Sequence, residues 1–282
     1  MEITPSTFEE QDHYHVLQAE MTRKLIAQQR YGLIKETDYN ITRSIEDQKL
    51  VIQVNSLEAI TKNGELLQID GDSLSRELPN YKGQACFFVV YHKGEREQEV
   101  NQVLYTKPSY EYAYCTLDEI GEDSFPIVKL IQESDVWKVQ KRYIPPCMTI
   151  GCHFELTQMQ RHSIQIVHEI AEILKNKNIS SELVLLEMLL KDWDVMDEMA
   201  APKDLYQLLK KTTWLLSRWN VPDVTLPNMP LIPQFNNNDI YDSIGVFVQH
   251  LSDYRQTLNI KNEPKKIEQE VEDIIEYDGI IP

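Results

Sequence analysis

The sequence predicts an α+β fold: an N-terminal helix and an antiparallel β-sandwich, followed by an α-helical bundle. Apolar residues recur at strand spacing between about residues 39 and 143 and at helical spacing further on, which is the first basis for this prediction. The second is the stretch WKVQKRYIPPC at 137–147, between the two patterns. Pro145 and Pro146 cannot donate to a sheet, and Pro145 holds Ile144 extended. We therefore expect a stiff joint between two bodies.

The sequence divides into three predicted parts. Residues 1–148 are expected to form the N-terminal helix and the β-sandwich, residues 149–260 the helical bundle, and residues 261–282 an acidic C-terminal tail. At 282 residues, the chain is long enough for one large or two medium domains.

Composition excludes some partners and points to a compartment. The formal charge of −17 does not suit nucleic acid or anionic membranes, since phosphate binding needs clustered Lys and Arg. No apolar run reaches membrane-spanning length, and the N-terminus lacks a secretory signal, so we expect a cytoplasmic protein. The four scattered cysteines form no C-x-x-C pair and predict reduced thiols.

The first helix is expected from about Phe8 to Arg30, with Gly32 as its cap. Two runs of strand pattern then flank Lys62-Asn63-Gly64, and Asn-Gly between such runs strongly indicates a hairpin. The strands are predicted at about Leu50–Asn55, Ser56–Thr61, Glu65–Ile69, Gln84–His92, Tyr110–Cys115, Ile127–Glu133 and Val136–Tyr143, with one turn at Lys93-Gly94.

Four helices are expected after the joint. Thr157 and Gln160 resemble a capping box at the start of the first, and Pro202 opens the third. The second, near Leu183 to Met196, is apolar on nearly every side, so either its own bundle or other copies of the chain must cover it. A proline-rich connection precedes the fourth, which Asn236 to Asp239 can cap.

The acidic tail places branched apolar residues among carboxylates: Val271, Ile274, Ile275, Tyr277, Ile280 and Ile281. Three interpretations stay open: a short helix, a disordered end, and a peptide that becomes ordered on a partner.

We find no pattern that predicts catalysis, a metal or a cofactor. The P-loop, the dinucleotide fingerprint and the nucleophile elbow are absent from the sequence, and the histidines are dispersed. Asp192, Asp194, Asp197 and Glu198 are crowded together, but no His or Lys completes an acid–base set, so a solvated helix end is expected. Trp193, Trp214 and Trp219 lie beside leucines at helical spacing and are expected in the core.

Several short motifs follow one another over about residues 4 to 260: Pro5-x-x-Phe8-x-x-Gln11-Asp12, Tyr31-Gly32-Leu33, Trp137, Tyr143-Ile144-Pro145-Pro146-Cys147, Asp204-Leu205-Tyr206-x-x-Leu209 and Asn238-Asp239-Ile240. Their order resembles that of the TssK family, the baseplate subunits of type VI secretion systems. The resemblance implies a trimer with a β "shoulder" and a helical "neck". It also implies that the shoulder docks onto the wedge proteins TssF and TssG. The family's C-terminal head has no counterpart in the sequence, which leaves another connector or the acidic tail to make the contact with the membrane complex.

From this resemblance we expect a non-catalytic baseplate adaptor, peripheral to the inner membrane. We also expect three sets of contact residues. Partner contacts are expected at Phe8, Gln11, Asp12, Ile144, Pro145 and Pro146; the alternative for Phe8 and the prolines is packing between domains. The oligomer interface is expected at Leu183, Leu186, Leu189, Leu190 and Trp193, and docking by the tail at Ile274, Ile275, Tyr277, Ile280 and Ile281.

Two other functions remain alternatives. One is a phage-like tail or receptor-binding component with the same architecture. The other is a hydrolase or small-ligand sensor that uses Asp192, Asp194 and Trp193 of the helical part.

Overall fold

A computed structural model describes residues 5–80, 85–100, 103–176, 180–219 and 225–260. The chain begins with helix α1, Pro5–Ala27, which ends before the expected Arg30. Strand β1, Gly32–Leu33, follows, so Gly32 belongs to a strand and is not the cap of α1. The predicted tail, residues 261–282, lies outside the described residues.

The first antiparallel sheet consists of β1, β2 (Tyr39–Glu46), β3 (Lys49–Ile60) and β4 (Leu66–Glu77). Strand β3 is central and pairs with β4 on one side and with β2 and β1 on the other. The hairpin at Lys62-Asn63-Gly64 is confirmed. The two strands expected at 50–61 are one, β3, which continues through a bulge: Asn55 is its extra residue, opposite the step from Asn40 to Ile41 in β2.

The second sheet has the order β6-β5-β7-β8 and consists of β5 (Ala85–Val100), β6 (Val103–Cys115), β7 (Ser124–Glu133) and β8 (Val136–Val139). The turn expected at Lys93-Gly94 is a bulge instead, since the register shifts between His92 and Gly94 and both strands continue. Lys93 is the extra residue of this bulge, and Gly94 directly after it has a φ of +129°, which favours glycine. The β5–β6 hairpin is therefore much longer than predicted.

The two sheets form a sandwich around a shared core. Alternate residues Cys86, Phe88 and Val90 of β5 join the cluster that contains Leu50 and Ile52 of β3. Phe87 and Val89 point to the opposite face and pack with Tyr143. Residues 86–90 of β5 are thus buried on both faces, which explains why the apolar residues there form a continuous run.

The helical part consists of α2 (Phe154–Asn176), α3 (Ser180–Asp194), α4 (Pro202–Ser217) and α5 (Ile240–Ile260). Helix α2 packs against α3 and α5, and α4 packs against the same two helices. One face of α2 is buried along Leu156, Ile166, Val167, Ile170 and Leu174. One continuous apolar cluster runs from the sandwich into this bundle, so the two parts share a core. The α+β fold is confirmed.

The joint passes very close to β1. The Leu33 amide donates to the Pro146 carbonyl at 2.8 Å, and the Met148 amide donates to the Leu33 carbonyl at 3.1 Å. Gly32 has a φ of +131°, and a Cβ built on it lies 2.3 Å from the carbonyl carbon of Pro146. Only glycine fits this contact, because both the backbone angle and the space exclude a side chain.

We predict that Gly32→Ala lowers the free energy of unfolding by more than about 4 kcal/mol, a size that point variants reach only through a severe clash or strain. Gly71 is a matched control, because it also has a positive φ, +77°, but nothing lies within 4 Å of its added Cβ. Gly71→Ala should cost only about 1–2 kcal/mol of backbone strain. Urea denaturation of both variants measures the difference, and equal losses would contradict the role of the close contact.

Candidate protein interaction surfaces

The joint residues predicted as partner contacts are packed inside the chain. Ile144, Pro145, Pro146 and Cys147 are buried, and the main chain of this segment is held by Leu33. The Tyr143 hydroxyl donates to the Asn238 carbonyl at 3.1 Å, which ties the joint to the start of α5. Ile144, Pro145 and Pro146 therefore offer no surface to another protein, and packing between the two parts, the alternative interpretation, describes their place.

A buried ion cluster also connects sandwich and bundle. Lys129 of β7 reaches Asp239 and Asp242 at the start of α5, each at 2.6 Å, and its side chain is only 6% exposed. Burial by itself lowers the pKa of the Lys129 ammonium, but the hydrogen bonds from the two carboxylates outweigh it, and the pKa lies above the ordinary value. Negative side chains also suit the positive N-terminal end of a helix. The sequence does not reveal this cluster, because the partners lie 110 and 113 residues apart.

We predict that Lys129→Met lowers the free energy of unfolding by about 3–5 kcal/mol, because it leaves the Asp239 carboxylate buried without a counter-charge. Lys129→Met combined with Asp239→Asn should recover part of this loss. Lys138 is the control, since its ion pair with Glu133 is exposed on both sides and Lys138→Met should change little. Chemical denaturation compares the variants, and a small effect of Lys129→Met would show that the cluster contributes little.

His153 lies at the same junction, where its carbonyl accepts the Leu156 and Thr157 amides at the start of α2. Its ring is 5.7 Å from the ring of Tyr39 on β2. Burial and the nearby Arg43 lower the pKa of His153 to about 4. The imidazole is thus neutral near pH 7 and serves as a packing group between the two parts.

Three of the crowded carboxylates each have a different partner. Asp194 lies 3.0 Å from His168, so a histidine does lie beside one of them, contrary to the expectation from the sequence. Glu198 pairs with Arg161 at 2.6 Å, and Asp197 accepts the Met199 amide at 2.9 Å. Asp192 is exposed. Across the parts of the chain that the structure describes, no group of three or more His, Cys, Asp or Glu side chains is placed to hold a metal ion.

Helix α1 presents an apolar surface to solvent. Its exposed apolar side chains are Tyr14, Val16, Leu17, Met21, Leu25 and Ile26. The helix contacts the β3–β4 hairpin, where the backbone of Lys24 lies against Gly64 so closely that a Cβ there would be 2.7 Å from the Lys24 Cα. Gln11, one predicted partner residue, is exposed, while the structure fixes only the helical backbone of Phe8 and Asp12. An exposed apolar helix face of this kind is typical of a protein-binding site.

The described residues cover helix α3 on one side only. Leu186 and Trp193 are fully buried within the chain, and the Trp193 indole donates to the Thr212 hydroxyl at 3.0 Å. These two predicted interface residues thus belong to the core of the bundle. Leu183, Leu189 and Leu190 are half-buried. The surface that α3 offers consists of Val184, Leu185 and Met188, which are 57%, 50% and 62% exposed.

An apolar groove runs between this face of α3 and α4. It has a volume of about 430 Å³ and is lined by Leu185, Met188, Leu189, Gln207, Lys210, Lys211, Trp214 and Leu215. Trp214 is 48% exposed, so its predicted place in the core is wrong, whereas Trp193 and Trp219 are buried as expected. Trp214 lies off the leucine stripe of α4, and that position is the signal that could have revealed the groove.

The fold and these surfaces are typical of a protein that binds other proteins. Two bodies are fixed at one angle by a shared core, and apolar faces remain exposed on α1 and α3. Among the helices that the structure describes, none combines the length and hydrophobicity needed to cross a bilayer.

Solved structures with a similar fold indicate which kind of protein-binding protein this fold resembles. A chain of the type VI secretion TssK–TssF–TssG baseplate subcomplex is 11% identical and matches 92% of this chain and 96% of its own length, with a TM-score of 0.59. TssK from the EAEC type VI secretion system is 10% identical, with 90% of this chain and 69% of TssK covered and a TM-score of 0.56. A crystal structure of TssK is 11% identical, with 92% and 67% covered and a TM-score of 0.54.

These likenesses show that the chain has a TssK-like fold, as the motif order predicted. A scan against protein-family models and a search of curated proteins each found no match. At 10–11% identity, the fold is the property that this chain and the TssK structures demonstrably share.

Proposed function

We propose that the chain is a structural adaptor in the baseplate of a contractile type VI secretion system, peripheral to the inner membrane. The observation that carries this proposal is the fold likeness to TssK, which extends through sandwich, joint and bundle over about nine tenths of the chain. In this proposal, residues 1–148 are the shoulder, residues 149–260 are the neck, and the acidic tail or another protein connects the baseplate to the membrane complex.

A rigid joint supports the adaptor role. An adaptor transmits position only if its two binding ends keep a fixed relation. The joint here is buried and hydrogen-bonded to β1, and Lys129 connects the sandwich to the start of α5. The exposed faces on α1 and α3 lie in different parts of the chain, so one molecule can hold two partners at once.

Wedge proteins of the TssF and TssG type are the proposed partners of the shoulder, and α1 is the proposed contact. Its predicted residues Phe8, Gln11 and Asp12 lie on the same helix as the exposed apolar side chains Val16 and Met21. Apolar anchors surrounded by polar groups are the usual source of affinity at protein interfaces.

We predict that Phe8→Ala weakens binding to co-expressed wedge proteins by about 30-fold, the effect of losing an anchor worth about 2 kcal/mol. Phe154→Ala is the matched control, because it makes the same substitution at an exposed phenylalanine of the helical part. Affinity capture followed by titration against the purified wedge complex gives the two dissociation constants. Equal binding by both variants would remove α1 from the proposed interface.

Self-association is proposed through the neck, with a trimer as the expected form. The exposed residues Val184 and Met188 are four apart on α3 and thus lie on one face, which another copy can cover. Burying each such side chain contributes roughly 1.5–3 kcal/mol, so leaving the face in water forfeits several kcal/mol per copy.

We predict that Val184→Glu converts the oligomer into a monomer, because it places a charge in an apolar interface. Val195→Glu is the control; Val195 is an even more exposed valine, in the loop after α3. Size-exclusion chromatography with light scattering reports the mass of each. A wild-type chain that stays monomeric at micromolar concentration would refute self-association.

A further inference from the structure

The lining of the α3–α4 groove carries only positive charge. Its apolar walls come from Leu185, Met188, Leu189, Trp214 and Leu215, and its charged lining residues, in the part of the chain described, are Lys210 and Lys211. The chain as a whole has a formal charge of −17, so an apolar groove bordered by two lysines is a local exception. Such a groove fits an apolar helix that also carries carboxylates.

The chain itself contains a segment of this chemistry. Residues 267–281, IEQEVEDIIEYDGII, include six carboxylates and no Lys or Arg. Ile267, Val271, Ile274 and Ile275 are spaced at i, i+4, i+7 and i+8, which is the pattern of one apolar helix face. A helix with such a face can bind an apolar groove by placing these apolar side chains in it.

The segment starts within reach of the groove. Helix α4 begins beside the joint, where Ala200 accepts the Ile150 amide, and α5 begins beside Lys129 of the sandwich. Both helices therefore run away from the sandwich, and Ile260 lies toward the same end of the bundle as Trp214. The six residues 261–266 can span about 20 Å, which is twice the usual distance of about 8–10 Å between packed helices.

We propose that residues 267–281 dock as an amphipathic helix into the α3–α4 groove of the same chain. Their isoleucines and Val271 pack on Met188 and Trp214, and their carboxylates face Lys210 and Lys211. This contact covers part of the α3 face on which the proposed oligomer depends, so the segment and a sister copy compete for it. The competition with a sister copy rests on the proposed function, whereas the docking of residues 267–281 does not.

Hydrogen–deuterium exchange of the full chain tests the contact. The amides of residues 267–281 should exchange at least tenfold more slowly in the wild type than in the variant that combines Ile274→Glu with Ile275→Glu. Lys211→Glu should likewise speed exchange several-fold, since it removes a positive charge from the groove. Lys203→Glu on the same helix is the matched control, because Lys203 is exposed and does not line the groove, and it should leave the exchange unchanged.

Measurements at two chain concentrations, tenfold apart, separate this inference from the proposed oligomer. Docking within one chain gives protection that does not depend on concentration. Unprotected amides, equal effects of the two lysine variants, or protection that appears only at the higher concentration would each overturn the proposal. A chain that is monomeric by light scattering yet protected would end the oligomer proposal and support this one.

Discussion

The contact between the joint and β1 is the constraint on which the remaining architecture depends. Two main-chain hydrogen bonds hold Leu33 between Pro146 and Met148, and the absence of a side chain at Gly32 permits this approach. A proline has no N–H to donate, so Pro146 contributes only its carbonyl as an acceptor, and the donor on this side is the amide of Met148. The joint thereby becomes part of the sandwich at one end and the start of the bundle at the other.

The ion cluster of Lys129, Asp239 and Asp242 orients the bundle relative to the sandwich. Apolar packing holds the sandwich and the bundle together but is not directional, whereas Lys129 positions the start of α5 through two carboxylates at fixed distances. Tyr143 contributes a second polar tie at the same place by donating to Asn238. An adaptor that transmits a position needs this kind of fixed geometry more than it needs maximal stability.

Helix α3 has one apolar side that is buried in the bundle and another that is exposed. Helix α3 is apolar on nearly every side, yet the four-helix arrangement can cover only the side that carries Leu186 and Trp193. The remaining apolar face, with Val184 and Met188, is the place where another copy or another segment lowers the free energy. Both the proposed oligomer and the proposed docking of residues 267–281 follow from this one excess of apolar surface.

The sequence by itself determined the fold class, the hairpin at Asn63-Gly64, the helices of the bundle and the position of the joint, because periodicity, turn residues and prolines act locally. The tertiary structure decided what depends on distant residues. It merged two predicted strands into β3, turned the expected turn at Gly94 into a bulge, and brought Lys129 to Asp239. It also buried Leu186 and Trp193 and left Trp214 exposed. The pattern of apolar residues along a helix indicates that a face is apolar, but not which neighbour covers that face.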